Sequence, residues 1–218
     1  MKSLSDIRFI YSSYRELSFR SRIFILLRYL TCPWNLILDQ VAGCERILDV
    51  GTGHGLFLQL ARRRYPALQG VGIDHDYSKI AAAAKAVPQA GLTFYHTDQS
   101  DALVPGTFDC VTFIDVLYSM PLRDWSAMLE LARNFLKPGG VLIIKETVDK
   151  PRWKYAVGMA QETLALKILR YTKGTGPSLV SAETYLNMLN TAEFTLKEHS
   201  RADAGYPWSH HLFIAEKP

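Results

Sequence analysis

The sequence predicts an α/β domain built on a doubly wound, mostly parallel seven-stranded sheet that ends in an antiparallel hairpin. Three observations carry that expectation. Short apolar runs alternate with stretches of helical periodicity, at residues 47–50, 70–73, 92–96, 108–115 and 141–146, which is the pattern of parallel β-α-β units. The first run leads through Gly51-Thr52-Gly53-His54-Gly55 into a helix, so a strand, a glycine turn and a helix N-terminus meet as a ligand-binding corner. The last two runs, 194–200 and 210–216, are joined by residues 201–209 alone, too short for a crossover and right for an antiparallel pair.

The elements follow in order. Residues 3–30 read as helical, with Ile7, Ile10, Tyr11, Tyr14 and Leu17 at helical spacing and Ile23, Leu26, Leu27 and Leu30 repeating it. Pro33 closes this region, and Asn35 to Val41 form one further helix. Ile47, Leu48 and Val50 are the apolar run of a strand covered on both faces. Leu56 to Arg64 is a helix with three arginines at its C-terminal end, where they suit the dipole. Gly70 to Asp74 is a second strand, and Asp76 caps the helix Tyr77–Ala86. Leu92 to His96 and Phe108 to Asp115 are the third and fourth strands. Trp125 to Leu136 is an amphipathic helix stopped by Leu136-Lys137-Pro138-Gly139-Gly140, and Val141 to Glu146 is the fifth strand. Residues 150–192 break the alternation: a long helix over Trp153 to Tyr171, a loop at 173–178, and a helix capped by Ser181.

The composition sets bounds. The chain has 218 residues, enough for one substantial α/β domain. Its formal net charge is +4, and residues 1–30 hold the whole excess, with six basic residues against Asp6 and Glu16. That is a local basic patch, and with no interleaved basic and aromatic cluster it does not point to nucleic acid. Cys32, Cys44 and Cys110 form no metal-type pair and no disulfide framework, which favours a reducing, cytoplasmic setting. Cys110 reads as a small core residue. No cleavable signal peptide is recognisable, and the apolar run Ile23–Leu30 is interrupted by Arg28 and is far short of a bilayer span. No metal-ligand spacing is present.

Three details of the corner bear on its ligand. The spacing is G-x-G-x-G, one residue tighter than the dinucleotide fingerprint. Asp49 precedes the first glycine by two residues, and no Lys or Arg lies in the loop. A carboxylate there suits an ammonium or sulfonium better than a pyrophosphate. With these residues the chain resembles the class I S-adenosylmethionine-dependent methyltransferases, whose first motif is an acid followed by G-x-G-x-G. Leu136-Lys137-Pro138-Gly139-Gly140 before an apolar strand and the terminal reversed hairpin also match that family. The resemblance covers residues 44–148 in sequence and 193–217 in topology. It implies a Rossmann-like fold, S-adenosyl-L-methionine as cofactor, and cofactor contacts from Asp49, Gly51, Thr52, Gly53, Gly55, Asp74, His75, Asp98, Gln99 and Asp115. Asp74 lies 23 residues after Gly51, the distance at which an acid ending the second strand accepts from both ribose hydroxyls. Asp98 takes the position that meets the adenine amino group, with Asp101 as a competitor; His96 reads as structural. The N/D-P-P-Y variant used on amino groups of adenine or glutamine is absent.

The expected organisation is one domain: a helical cap over 1–43, a cofactor-binding core over 44–149, a helical substrate cover over 150–192 and the hairpin over 193–218. The cap also reads as a basic amphipathic surface for peripheral contact with the inner face of a membrane, or as a holder for an apolar substrate. Phe24, Leu27, Tyr29, Trp34, Trp153, Tyr155, Met159 and Leu166 favour an apolar or aromatic small-molecule acceptor such as a lipid, quinone or polyketide-like intermediate, methylated on oxygen or carbon. Methyl transfer from a sulfonium needs alignment first, and a base only where the acceptor carries a proton. His210, His211 and Tyr118 are the candidates for that role, with Lys145 behind them. Two other readings compete. One is a non-catalytic interaction or membrane-associated module on the same fold; the other is a nicotinamide-dependent oxidoreductase, disfavoured by the glycine spacing and the hairpin.

Overall fold

The computed structural model describes residues 3–86, 90–102, 107–149, 180–206 and 208–218. Seven strands form one sheet: β1 (Arg46–Val50), β2 (Gln69–Asp74), β3 (Leu92–His96), β4 (Phe108–Ile114), β5 (Leu136–Thr147), β6 (Thr195–Arg201) and β7 (His210–Glu216). Their spatial order is β3-β2-β1-β4-β5-β7-β6. The first five are parallel, and β7 runs antiparallel to both β5 and β6. The strand order therefore reverses at the β1/β4 boundary, which is where an open α/β sheet leaves a crevice for a ligand. Since β7 is the one reversed strand, the loop from β6 to β7 opens on the same edge as the turn after β1.

Helices α1 (Leu4–Ser13), α2 (Phe19–Thr31), α3 (Trp34–Gln40) and α4 (Leu56–Arg64) pack on one face. Their buried residues Ile10, Tyr14, Ile25, Ile37 and Leu58 meet Ile47, Cys110, Ile143 and Leu212 of the sheet. Helices α6 (Trp125–Phe135) and α7 (Ala182–Thr191) cover the other face through Trp125, Leu129, Tyr185 and Leu189, against Leu48, Phe113, Ile144 and Phe213. Helix α5 (Tyr77–Lys85) starts at Asp76, whose carboxylate accepts from the Ser78 and Lys79 amides as expected. Ser181 likewise accepts from Thr184 to start α7. Cys110 is fully buried.

Residues 14–18 break the helical reading of 3–30, most other boundaries shift by a residue, and one differs more. β5 begins at Leu136, not Val141, because Leu136 already pairs with Phe108 before the register shifts. The proline-glycine segment bulges out of the pairing, with Gly139 at φ 73°, and is tied to the C-terminal residues: the Gly139 amide donates to Lys217 O, and the Lys217 amide donates to Gly140 O. The expected helix over 153–171 and the loop over 173–178 lie outside the described residues, as do Trp153, Tyr155, Met159 and Leu166.

Candidate cofactor and acceptor site

The corner after β1 is held by three glycines in the left-handed region, with φ of 72° at Gly51, 55° at Gly53 and 74° at Gly55. Gly51 and Gly55 are glycines for packing as well. A Cβ on Gly51 would lie 2.5 Å from Val116 Cγ2, and one on Gly55 would lie 2.7 Å from Phe94 Cε1. Gly53 differs, since a Cβ there would meet nothing within 4 Å. Its side of the loop is the open side, where a ligand can come against the backbone.

Two buried carboxylates frame the loop. Asp74, at the end of β2, accepts from the Gly53 amide at 2.8 Å through Oδ2 and from the Asp76 amide at 2.9 Å through Oδ1. Each oxygen keeps a lone pair for a further donor. Asp49 is buried and accepts from Thr112 Oγ1 at 2.7 Å. Burial pushes its carboxyl up to about 6, against the lowering effect of that hydroxyl. Thr52 is buried in the loop, and His75 is exposed with Nδ1 3.5 Å from Asp74 Oδ1.

At the end of β3, Asp98 is exposed and accepts from Tyr77 Oη at 3.0 Å. The Tyr77 ring lies parallel to His96, with centroids 3.5 Å apart. His96 Nε2 donates to His75 O at 2.8 Å, so Nδ1 carries the lone pair and accepts from the Asp98 amide at 3.2 Å. Gln99 Oε1 accepts from the His96 amide at 3.3 Å. The structural role expected of His96 follows from these bonds: it fixes the turn that presents Asp98.

Past β4, Asp115 sits at φ 56°, a conformation that side chains other than Asn, Asp and Gly rarely adopt. Its carboxylate takes Lys145 Nζ at 2.6 and 2.7 Å and pairs with the Arg28 guanidinium of α2. Burial by itself would raise this carboxyl; the two cations outweigh it and hold it well below the usual range. The Lys145 side chain is fully buried. Asp115 is thus committed to two cations of the chain itself, whereas Asp49 and Asp74 meet no lysine or arginine among the described residues.

Helix α2 lies over this edge. Tyr14, just before it, donates from Oη to His54 O at 2.9 Å, and Phe24 packs on the His54 ring at 5.6 Å between centroids. The end of α2 meets the β6–β7 loop and β7: His210 Nε2 donates to Thr31 O at 2.9 Å, and Tyr206 Oη donates to Cys32 O at 3.3 Å.

His210 and His211, adjacent on β7, fall on opposite faces of the sheet. His210 faces the Asp115 and Lys145 side, and its buried Nδ1 has no hydrogen-bond partner. Burial pushes its imidazole down to about 3. His211 shares a hydrogen bond of 2.9 Å between Nδ1 and His199 Nε2, and burial lowers it to about 4. Tyr118 follows β4 on the short turn Leu117–Ser119. On the His211 face, Glu146 Oε1 accepts from the Val116 and Leu117 amides at 2.8 and 2.7 Å. Burial raises that carboxyl to about 8.

Sequence reading missed Arg28, Tyr14, Tyr77 and Glu146 as parts of the site edge. The charges of this edge did leave a signal. Arg28 interrupts the apolar run of α2, and Lys145 and Glu146 end an otherwise apolar strand, where a buried charge demands a partner.

A family model described as "Methyltransferase domain" matches residues 25–199 of this chain. The chain belongs to this family. Its cofactor is S-adenosylmethionine, and the corner fits that group: an open backbone side at Gly53, two buried carboxylates that meet no lysine or arginine among the described residues, and no lysine or arginine within the loop. The chain is 26% identical over 154 residues to trans-aconitate 2-methyltransferase of Acidovorax sp. (strain JS42), covering 66% of this chain and 55% of that protein. It is 26% identical over 159 residues to the ubiquinone biosynthesis O-methyltransferase of Xanthomonas campestris pv. campestris (strain B100), covering 71% and 64%. The chain thus spans about half to two thirds of the length of these curated relatives. Among solved structures, an O-methyltransferase family protein from Burkholderia thailandensis superposes with a TM-score of 0.66 at 19% identity, over 91% of this chain and 59% of that one, a likeness of fold.

Proposed function

We propose that this methyltransferase domain transfers a methyl group to a small apolar or aromatic acceptor, on oxygen or carbon. The observation that carries the reading is the glycine corner with Asp74 bonded to the Gly53 amide and Asp49 buried beside it, at the edge where the strand order reverses. S-adenosylmethionine supplies an electrophilic methyl carbon on a good leaving group. The chain's own residues bind and orient. Asp74 offers its remaining lone pairs to the ribose hydroxyls, and Asp49 places negative charge at the head of the loop for a cationic group. Asp98 and Gln99, in the turn after β3, are assigned to the adenine, and His75 flanks Asp74. Asp115, fixed by Lys145 and Arg28, shapes the wall past β4.

The proton question follows from the histidines. A general base works best with a pKa near the working pH. At about 3 and about 4, His210 and His211 are weak proton acceptors for a phenol or alcohol near pH 7. We therefore place His210 as a positioning residue that ties the end of α2 to β7, and we assign most of the acceleration to alignment. Tyr118 stays a candidate contact for the acceptor.

The relatives' names divide between a polar acid, trans-aconitate, and ubiquinone biosynthesis, so the acceptor rests on this chain's own lining. The apolar roof contributed by α2, with Phe24 against the His54 ring, supports the apolar side. Titration calorimetry with S-adenosylmethionine, S-adenosylhomocysteine and NAD in separate runs tests the cofactor. Micromolar binding of the first two and none of NAD is expected; binding of NAD alone overturns the reading. Asp74→Ala should weaken S-adenosylhomocysteine by about 1.5–3 kcal/mol, the worth of a hydrogen bond to a charged group. Unchanged affinity in that variant removes Asp74 from the site.

A further inference from the structure

We propose that the outer side of α1 and α2 is a docking surface for an anionic lipid bilayer. An amphipathic helix on a globular domain normally turns its apolar side inward and a polar side to water. Helix α2 has apolar residues on both sides. Ile25 and Tyr29 are buried against the core, while Phe19, Ile23, Leu27 and Leu30 are exposed, Phe19 at 74%. These four recur at i, i+4, i+8 and i+11, so they form one stripe along the whole helix. Alongside it, the exposed residues of α1 include Leu4, Arg8 and Tyr11 as well as Ser5 and Ser12, with Arg15 following Leu4, Arg8 and Tyr11 at helical spacing. The Arg22 guanidinium lies 4.2 Å from the Tyr11 ring centroid and joins the two helices across this face. Most of the large exposed apolar side chains of the described residues fall in α1, α2 and α3.

Charge decides what covers the stripe. Residues 1–30 carry the entire net charge of +4, and Arg8, Arg15 and Arg20 are exposed around the apolar residues. A second copy of this chain, docked through the same face, would bring those arginines against one another. A neutral apolar partner would gain nothing from them. An anionic bilayer matches both features: aliphatic and aromatic side chains enter the headgroup boundary while arginines meet lipid phosphates. No helix among the described residues is long and apolar enough to cross a membrane, so the contact is peripheral. Vesicle binding requires neither cofactor nor acceptor, so it stands or falls apart from the proposed methyl transfer.

The test is flotation of the full chain with vesicles of phosphatidylcholine alone and with phosphatidylcholine containing about a third phosphatidylglycerol. Binding to the anionic vesicles only, weakened by salt, is expected. Two double variants then separate the contributions. Arg8→Gln with Arg20→Gln should lower partitioning about 25-fold, from roughly fivefold per arginine near an anionic surface. Phe19→Ser with Leu27→Ser should abolish it while leaving the thermal unfolding midpoint in place or higher, because both side chains are already in water. Absence of wild-type binding to anionic vesicles overturns the proposal. So does a dimer in solution, measured by light scattering, that the Phe19→Ser/Leu27→Ser variant converts to monomer, since the occupant is then a second copy.

Discussion

Replacing Asp115 by asparagine separates charge from shape at the point where α2 meets the sheet. Asparagine tolerates the left-handed backbone that Asp115 adopts at φ 56°, so the turn survives. What is lost is the one anion between Arg28 and the fully buried Lys145. Removing one partner of a buried ion pair costs about 3–5 kcal/mol, most of it from the charge left behind. For a domain of this size, each kcal/mol moves the unfolding midpoint by about 2–4 °C, so a fall of roughly 10 °C is expected. Lys145→Met alone should cost less, because Asp115 keeps Arg28. The two changes together give the sharpest outcome. Lys145→Met should destabilise the wild type and yet recover stability in the Asp115→Asn background, where it removes the stranded cation. Urea unfolding with a shared m-value measures all four corners of this cycle. A loss below about 1 kcal/mol for Asp115→Asn, or costs that add within about 0.5 kcal/mol, would refute the buried three-charge cluster.

Other expectations concern the loop. Asp49, whose folded carboxyl sits near 6 against an ordinary value of 3.8, contributes stability that is present below pH 3.8 and lost as pH rises through 6. Asp49→Asn should therefore unfold later than wild type at pH 8, by on the order of 3 kcal/mol, and should show little gain at pH 4. The same variant should bind S-adenosylmethionine poorly, and wild-type affinity should fall about tenfold between pH 7 and pH 5 as Asp49 takes up its proton; calorimetry at both pH values reads this. Gly53→Ala and Gly55→Ala should fail differently. At Gly53 the added methyl meets open space, so stability should drop only by the left-handed penalty of about 1–2 kcal/mol while cofactor affinity drops at least tenfold, about 1.4 kcal/mol. At Gly55 the clash with Phe94 adds about 1–3 kcal/mol of overpacking to that penalty, and thermal unfolding reads the difference.

The fold was legible in the sequence because its signals are short-range. Glycine spacing, strand-ending acids and the caps at Asp76 and Ser181 each report on a few neighbouring residues, and those parts of the chain lie where their local chemistry puts them. The terminal hairpin followed from loop length alone. The charged cluster was not legible, since it joins residues 28, 115 and 145, and no local rule pairs positions that far apart. Its members were visible singly as charges inside apolar runs. The histidines show a different gap: His210 and His211 begin β7 as the sequence places them, but sequence cannot report the burial that lowers both imidazoles. The early start of β5 at Leu136 depends on pairing with Phe108 and on the chain end at Lys217, both remote in sequence.

These contrasts assign different work to the two parts of the chain. The proposed cofactor corner is mostly backbone: amide donors, left-handed glycines and two carboxylates that need no long side chain to reach a ligand. Such a site depends on the strand order and on backbone conformation more than on long side chains. Helix α2 instead acts through side chains on two sides. Its inner side, by Arg28 and Phe24, closes over Asp115 and His54; its outer side presents the stripe from Phe19 to Leu30. A bilayer that holds the outer side therefore favours the docked helix, and by linkage the docked helix favours whatever binds beneath it. An acceptor that prefers hydrocarbon to water would be most concentrated in that bilayer. On the two proposals made above, the acceptor's supply and its site would lie on the two sides of the same element.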